Sequence, residues 1–157
     1  MATLSALRSR LRQERGAELI EMALVLPLLM LILLGMIDFG FMFREMNVVT
    51  NAAREGARAG ILPTYGNDAN VVQRVQQYMD ASGVDVTCST GAGDCVVWAP
   101  TITIPADAGA FQARDVRVMI FHDWTFMSPF ASWFGGSFTS VGLTGRAVMR
   151  VEPGGGS

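Results

Sequence analysis

Residues 22–43 read MALVLPLLMLILLGMIDFGFMF, and this stretch decides the architecture of the chain. It contains one charged residue, Asp38, and otherwise only apolar residues, glycine and one proline. As a helix it would be about 33 Å long, enough to cross a hydrocarbon core of about 30 Å. A core helix of a soluble protein is rarely apolar on every side over such a length. We therefore predict a single transmembrane helix.

Basic residues are concentrated on the N-terminal side of this segment. The chain of 157 residues has 12 basic side chains, all arginine, and four of them precede residue 16: Arg8, Arg10, Arg12 and Arg15. On the other side, Arg44 is followed at once by Glu45. The positive-inside rule therefore predicts a cytoplasmic N-terminus and places residues 44–157 outside the membrane.

A cleaved secretory signal peptide is the alternative to a retained span. Such a peptide has an apolar region of about 7–15 residues, followed by small residues at the cleavage site. The apolar run here is longer and continues into FREMNVV over 43–49, which lacks those small residues. We therefore expect the span to stay attached to the mature protein.

Composition argues against several classes of function. The formal net charge is only −2, and the arginines beyond the N-terminal segment are scattered, so we predict no nucleic-acid partner. Two cysteines and one histidine do not form a zinc-ligand pattern, and we expect no metal and no cofactor. His122 and Asp123 fall on opposite faces of a predicted strand, and no Gly-x-Ser-x-Gly elbow is present. We therefore predict no catalytic residue and no enzymatic activity.

Beyond the span the sequence predicts an α+β domain. The span continues as one helix over 17–60, about 66 Å long, and Pro27 is expected to bend it. A second, short helix is predicted over 68–82, where valines, Tyr78 and Met79 share one face. Period-two patterns then predict four strands, over 84–88, 95–104, 115–126 and 141–151. We expect a small antiparallel sheet of about four strands laid on the long helix.

Cys88 and Cys95 flank a turn between the first two of these strands. In an exported domain a short-loop disulfide is the favoured interpretation, and two unpaired thiols are the alternative.

Ala52, Gly56 and Gly60 recur at every fourth position and so share one face of the first helix. Small residues at this spacing let another helix approach closely. The face packs either on a neighbouring helix or on the chain's own sheet, and both interpretations stay open.

The segment 127–138 is unusually apolar for a connection between strands. Its large apolar residues include Phe130, Trp133 and Phe134. We interpret it as a contact for a partner or the membrane surface, and folding back over the core is the alternative. Asp38, near the far end of the span, is expected to face a partner helix or water.

The junction between the basic segment and the apolar run carries a known pattern. It reads RGAELIEM over 15–22, with Gly16 ending the basic segment and Glu21 at the start of the apolar run. This pattern resembles the processing site of type IV prepilins with short leaders, of the Flp/Tad kind. Four other stretches resemble TadE-like minor pilins: ALVLPLL at 23–29, DFG at 38–40, TNAAREGAR at 50–58 and, more loosely, LTGRAVMR at 143–150. Met22 stands where that family usually has an aromatic residue.

The resemblance implies that a prepilin peptidase cuts between Gly16 and Ala17. It also implies a processing and assembly role for Glu21 and Met22, with Glu21 pairing with the new N-terminal amine of a neighbouring subunit. A carboxylate in a low dielectric needs such a partner. Contact with lipid headgroups is the alternative role for Glu21, and Glu18 is a rival partner for the amine.

The predicted chain thus has four parts: a leader over 1–16, a transmembrane and assembly helix over 17–60, an extracytoplasmic domain over 61–152 and a flexible tail over 153–157. The resemblance implies a minor pilin or pseudopilin of a Tad/Flp-type pilus, acting in pilus assembly and surface adherence. It would be a single-pass protein of the inner membrane and, within a pilus, would reach the cell surface. The implied partners are other pilin subunits, the prepilin peptidase, the assembly platform in the inner membrane and the lipid bilayer.

Two alternative functions compete with this one. The first is a permanently anchored binding module or a part of an envelope complex. The second is a membrane-tethered hydrolase, which the missing motifs argue against.

Overall fold

The computed structural model describes residues 2–62, 67–105, 110–133, 135–136 and 140–151, with residues 2–15 and Ala17 described by their backbone. Three helices and five strands follow in chain order: α1 Ala2–Gly60, α2 Asp68–Ala81, β1 Cys88–Ser89, β2 Cys95–Trp98, β3 Thr101–Ile104, β4 Phe111–His122, α3 Met127–Trp133 and β5 Val141–Arg150. The predicted α+β class is confirmed. The predicted tail over 153–157 lies outside the described residues.

The chain divides into two compact units. The anchor unit contains residues up to 39 and those from 125 to 136 that are described, and the sheet unit contains residues 40–124 and 140–151. Helix α1 contributes residues to both.

Helix α1 begins at Ala2 and continues through residue 17, the predicted boundary between leader and assembly helix. Residues 2–15 are mostly alanine, leucine, arginine and other good helix formers, so the helix runs through Gly16 at a cost of about 1 kcal/mol. Pro27 lies inside α1 without ending it. Within the part of the chain that the structure describes, α1 is the one helix long and apolar enough to cross a membrane.

In the sheet unit, the last part of α1 is covered by α2 and the sheet. A shared core contains residues of all three, among them Val49 from α1, Val75 from α2 and Val116 from β4. Helix α2 begins where the side chain of Asn67 accepts a hydrogen bond from the Asn70 backbone N–H at 2.8 Å. It ends at Ala81, and Gly83, two residues later, has a φ of +70° that favours glycine.

Strand β4 is the centre of the sheet. It pairs antiparallel with β2 and β3, which follow one another along one edge, and with all ten residues of β5 along the other. The first pair, β1 with β2, is parallel and only two residues long. The sheet is therefore mixed and has five strands, where about four antiparallel strands were predicted.

Three strand predictions need correction. Only Cys88 of 84–88 is in a strand, because the Gln76 side chain of α2 binds this segment through the Val86 carbonyl and the Cys88 N–H. The predicted strand over 95–104 is split at Pro100, which cannot donate to the ladder and separates β2 from β3. Strand β4 covers 111–122 instead of 115–126, since β3 pairs with its first four residues.

Helix α2 and strand β5 match their predicted ranges to within one residue at each end. The predicted connection over 127–138 contains α3, a seven-residue helix that the sequence analysis missed.

Candidate functional site

The junction between the leader and the apolar run lies within α1. Gly16 has open space around it: a Cβ atom added there would have no heavy atom of the described chain within 4 Å. Glycine inside a helix costs about 1 kcal/mol relative to alanine. The fold of this chain therefore supplies no packing reason for a glycine at position 16.

Glu21 and Met22 are both exposed on α1, at the start of a run of exposed apolar side chains. Leu24, for example, is 76% exposed. The carboxylate of Glu21 thus lies at the end of an apolar surface that the described residues leave exposed. Such a surface is suited to lipid or to neighbouring helices.

Asp38 is the exception in this run, because its side chain is only 1% exposed. Its carboxylate accepts hydrogen bonds from the backbone N–H groups of Phe126, at 3.1 and 3.2 Å, and Met127, at 2.7 Å. The expectation that Asp38 faces a partner helix or water is therefore wrong, because the start of α3 supplies its donors.

Helix α3 carries two of the three aromatic residues proposed as a contact. Phe130 is half-buried and Trp133 is 83% exposed, whereas Phe134 lies outside the described residues. Ala131 of the same helix is buried. The helix therefore has a covered side and an exposed aromatic residue.

The small residues of α1 are covered by the chain itself. Ala52, Gly56 and Gly60 are all buried in the sheet unit. A Cβ on Gly56 would lie 2.8 Å from Val75 Cγ2 of α2, and one on Gly60 would lie 2.8 Å from Arg114 Cγ of β4. Of the two interpretations left open, packing on the chain's own elements is the one that the structure shows here.

Cys88 and Cys95 form a disulfide with their Cα atoms 4.4 Å apart, so the alternative of two unpaired thiols is wrong. The two residues are also direct partners in the register of β1 and β2. The bridge thus closes the turn at the point where the sheet begins. Among the described residues, no group of three His, Cys, Asp or Glu side chains could hold a metal ion.

His122 lies beside the core, as its strand position predicts. It is 5% exposed, and its Nδ1 atom is 2.8 Å from Glu45 Oε2 of α1. The Trp124 ring meets the His122 ring edge to face, with centroids 5.6 Å apart. A carboxylate of α1 and an aromatic ring thus contact this imidazole, while its Nε2 atom is buried without a hydrogen-bond partner among the described residues.

A second buried carboxylate, Asp115 on β4, was not singled out by the sequence analysis. It is 2% exposed and accepts hydrogen bonds from Arg146 Nε at 2.7 Å, Arg146 Nη2 at 2.9 Å and Arg117 Nη2 at 2.8 Å. The hydrogen bond from Arg146 holds the pKa of Asp115 below its usual value, burial opposes this, and Arg117 adds to the lowering.

This lowered pKa makes the stability of the sheet unit depend on acid pH. A carboxyl whose pKa is lower in the folded than in the unfolded state stabilises the fold above its unfolded pKa, near 3.8, and loses that contribution as pH falls through its folded pKa. We expect the free energy of unfolding to decrease below about pH 4 and Asp115→Asn to flatten that decrease. Denaturant titrations of the full chain and of the variant at several pH values measure the free energy of unfolding. The exposed Asp85 gives a control, since Asp85→Asn should keep the acid dependence.

The comparisons with known proteins concern the first part of α1. No curated protein and no solved structure shows significant similarity to the chain. One family model does match, and its residues include the leader junction, the apolar run and the small residues up to Ala57. Residues 16–58 match the model of the family described as TadE-like protein, so this segment of the chain is similar to that family.

Proposed function

We propose that the chain is a minor pilin or pseudopilin subunit of a Tad-type pilus, without enzymatic activity. The observation that carries this proposal is the TadE-like match over residues 16–58, which begins at the proposed cleavage site and covers the whole apolar run. In this proposal, α1 is the element that moves from the bilayer into the filament. The sheet unit is the part displayed outside the membrane, and it serves surface adherence.

Processing by a prepilin peptidase is the first step of the proposed function. Cleavage after Gly16 would remove residues 1–16 and create a free amine on Ala17. Two observations support Gly16 as the residue before the scissile bond: it lowers helix stability, and the chain's own packing does not need it. A substrate residue without a side chain lets the peptidase approach the backbone closely.

Assembly is the second step. The exposed apolar surface of α1 would exchange lipid for neighbouring helices, and the Glu21 carboxylate would pair with the Ala17 amine of the next subunit. Other pilin subunits and an assembly platform in the inner membrane are the proposed partners, with the N-terminus on the cytoplasmic side. Because α2 and the sheet cover Gly56 and Gly60, contacts with neighbours would use other faces of the helix.

N-terminal sequencing of the protein from peptidase-positive and peptidase-deficient cells tests this proposal. We expect the chain to start at Ala17 in the former and to keep its leader in the latter. Gly16→Val should leave the precursor uncut, because its side chain would obstruct the cleft. Gly40→Val is the matched control, since Gly40 is also a helical glycine with open space around it, and it should be cut normally.

An intact leader on functional protein in peptidase-positive cells would contradict the proposal. It would favour the alternative of a permanently anchored binding module. Recovery of the protein in filaments sheared from the cell surface separates the same two functions, because an anchored module would stay with the membrane.

A further inference from the structure

Asp38 and the start of α3 satisfy each other's hydrogen-bonding needs. The Asp38 carboxylate is buried and accepts the backbone N–H groups of Phe126 and Met127. The first N–H groups of a helix have no partner within that helix. A carboxylate that is removed from water needs donors, and N–H groups that are removed from water need acceptors. This arrangement is suited to a place where water is scarce.

The contact lies far along the apolar run. Asp38 follows Met22 by 16 residues, which is about 24 Å of helix in a hydrocarbon core of about 30 Å. Met127 of α3 also lies beside α1 at Gly35, one turn before Asp38: a Cβ at Gly35 would be 3.4 Å from Met127 Sδ. Over 24–39, Gly35 and Asp38 are the two buried residues of an otherwise exposed or half-buried stretch.

The segment 125–133 also exposes two large aromatic side chains. Trp133 is 83% exposed and Phe126 is 41% exposed, while Ala131 is covered. Residues 125–133 belong to the same compact unit as the apolar run, so their exposed surface continues the surface of the proposed span. Tryptophan is enriched where a membrane meets water, since its ring is apolar and its N–H is polar.

We propose that residues 125–133 form an interfacial segment, which lies at the boundary between the acyl chains and the headgroups at the C-terminal end of the span and places Trp133 in contact with lipid. Asp38 fixes the segment at this depth. The occupant of the exposed face is lipid, because the neighbouring turn of α1 also exposes apolar side chains, among them Met36, which is 70% exposed, and these belong to the proposed span. The inference rests on the proposed membrane span and is independent of pilus assembly.

Tryptophan quenching by brominated lipid tests this inference. The full chain carries three tryptophans, and the variant Trp98→Phe with Trp124→Phe retains Trp133 alone. It is placed, one chain per nanodisc, in lipids brominated near the headgroup end of their chains. We expect loss of Trp133 emission and a spectrum shifted to shorter wavelength. The matched variant that retains only Trp98, an exposed residue of β2, should keep its emission.

A third variant separates this inference from the proposed span. Leu28→Trp in a chain with the three natural tryptophans changed to Phe should be quenched by lipids brominated deep in their chains. If the tryptophan introduced at position 28 is quenched and Trp133 is not, the proposed span is supported and the proposed interfacial segment is wrong. If neither is quenched, both are wrong. Protection of Trp133 only within filaments would identify a neighbouring subunit as the occupant and would also overturn the inference.

Asp38→Leu tests the role of the carboxylate. In the chain that retains only Trp133, we expect it to reduce quenching, because the segment loses the acceptor that holds it beside α1. Unchanged quenching of Trp133 would show that Asp38 does not fix the segment. The emission of Trp98, in the matched single-tryptophan chain, reports whether the sheet unit remains folded.

Discussion

Gly145→Ala should destabilise the sheet unit by about 3 kcal/mol, the upper end of what an added methyl group costs in a packed core. At position 145 of β5, a Cβ atom would lie 2.5 Å from the Val49 carbonyl oxygen and 2.8 Å from the Thr50 Cα atom of α1. Both are backbone atoms of a helix, so they cannot turn aside as a flexible side chain can. For a unit of this size the midpoint of thermal unfolding should fall by on the order of 15 °C.

Thermal unfolding of the full chain in detergent, with Trp133→Phe as the background so that Trp98 and Trp124 alone give the emission, measures this effect. Gly142→Ala, in the same strand, is the control, since a Cβ there would lie 3.9 Å from the side chains of Met119 and Phe121. It should change stability by no more than about 1 kcal/mol. Equal effects of the two substitutions would contradict close packing of β5 on α1.

Glu21→Ala should abolish incorporation of the subunit into filaments while leaving cleavage after Gly16 intact. In the proposed assembly, the substitution leaves the Ala17 amine of the neighbouring subunit buried and unpaired. Removing one member of a buried ion pair costs about 3–5 kcal/mol. Since each 1.4 kcal/mol is a factor of ten in an equilibrium constant, incorporation should decrease by a factor of about 100 or more.

Comparing the amount of subunit in sheared filaments with the amount in membranes gives the measurement. Glu18→Ala is the matched control, because Glu18 is also an exposed carboxylate of the same helix, one turn earlier. It should assemble normally. The opposite outcome, loss with Glu18→Ala and normal assembly with Glu21→Ala, would assign the amine to Glu18 instead.

Much of the fold could be predicted because long periodic segments carry strong local information. The apolar run predicted one long apolar helix, and the valines of α2 at positions 71 and 75 predicted its buried face. The alternation along β5 likewise identified its ends to within one residue. In each case one physical requirement, burial of a continuous face, repeats often enough to be recognised.

The parts that could not be predicted depend on single contacts between distant residues. The donors to Asp38 are backbone N–H groups 88 residues away, and backbone groups leave no trace in side-chain patterns. Helix α3 has seven residues, too few for a recognisable period. The contact of His122 with Glu45 spans 77 residues and could not be inferred from either position.

The Asp115 cluster was a different kind of omission, because a signal was present. Asp115 and Arg117 are two residues apart on one strand and therefore share a face. Arg146 of β5 pairs in register with Arg117 and is therefore the diagonal neighbour of Asp115 across the two strands. Opposite charges at such positions commonly pair across a sheet, and the alternation of polar residues along both strands would have suggested this cluster.

The place of β5 in the sheet also has a consequence for the order of events at the membrane. The strand bonds to β4 along its whole length and lies against Val49, yet it is the last element that the structure describes in chain order. The sheet unit therefore cannot close around α1 until nearly all of the chain is available. In the proposed orientation, with the sheet unit outside the membrane, export would have to precede folding, and the translocation machinery would handle an extended chain.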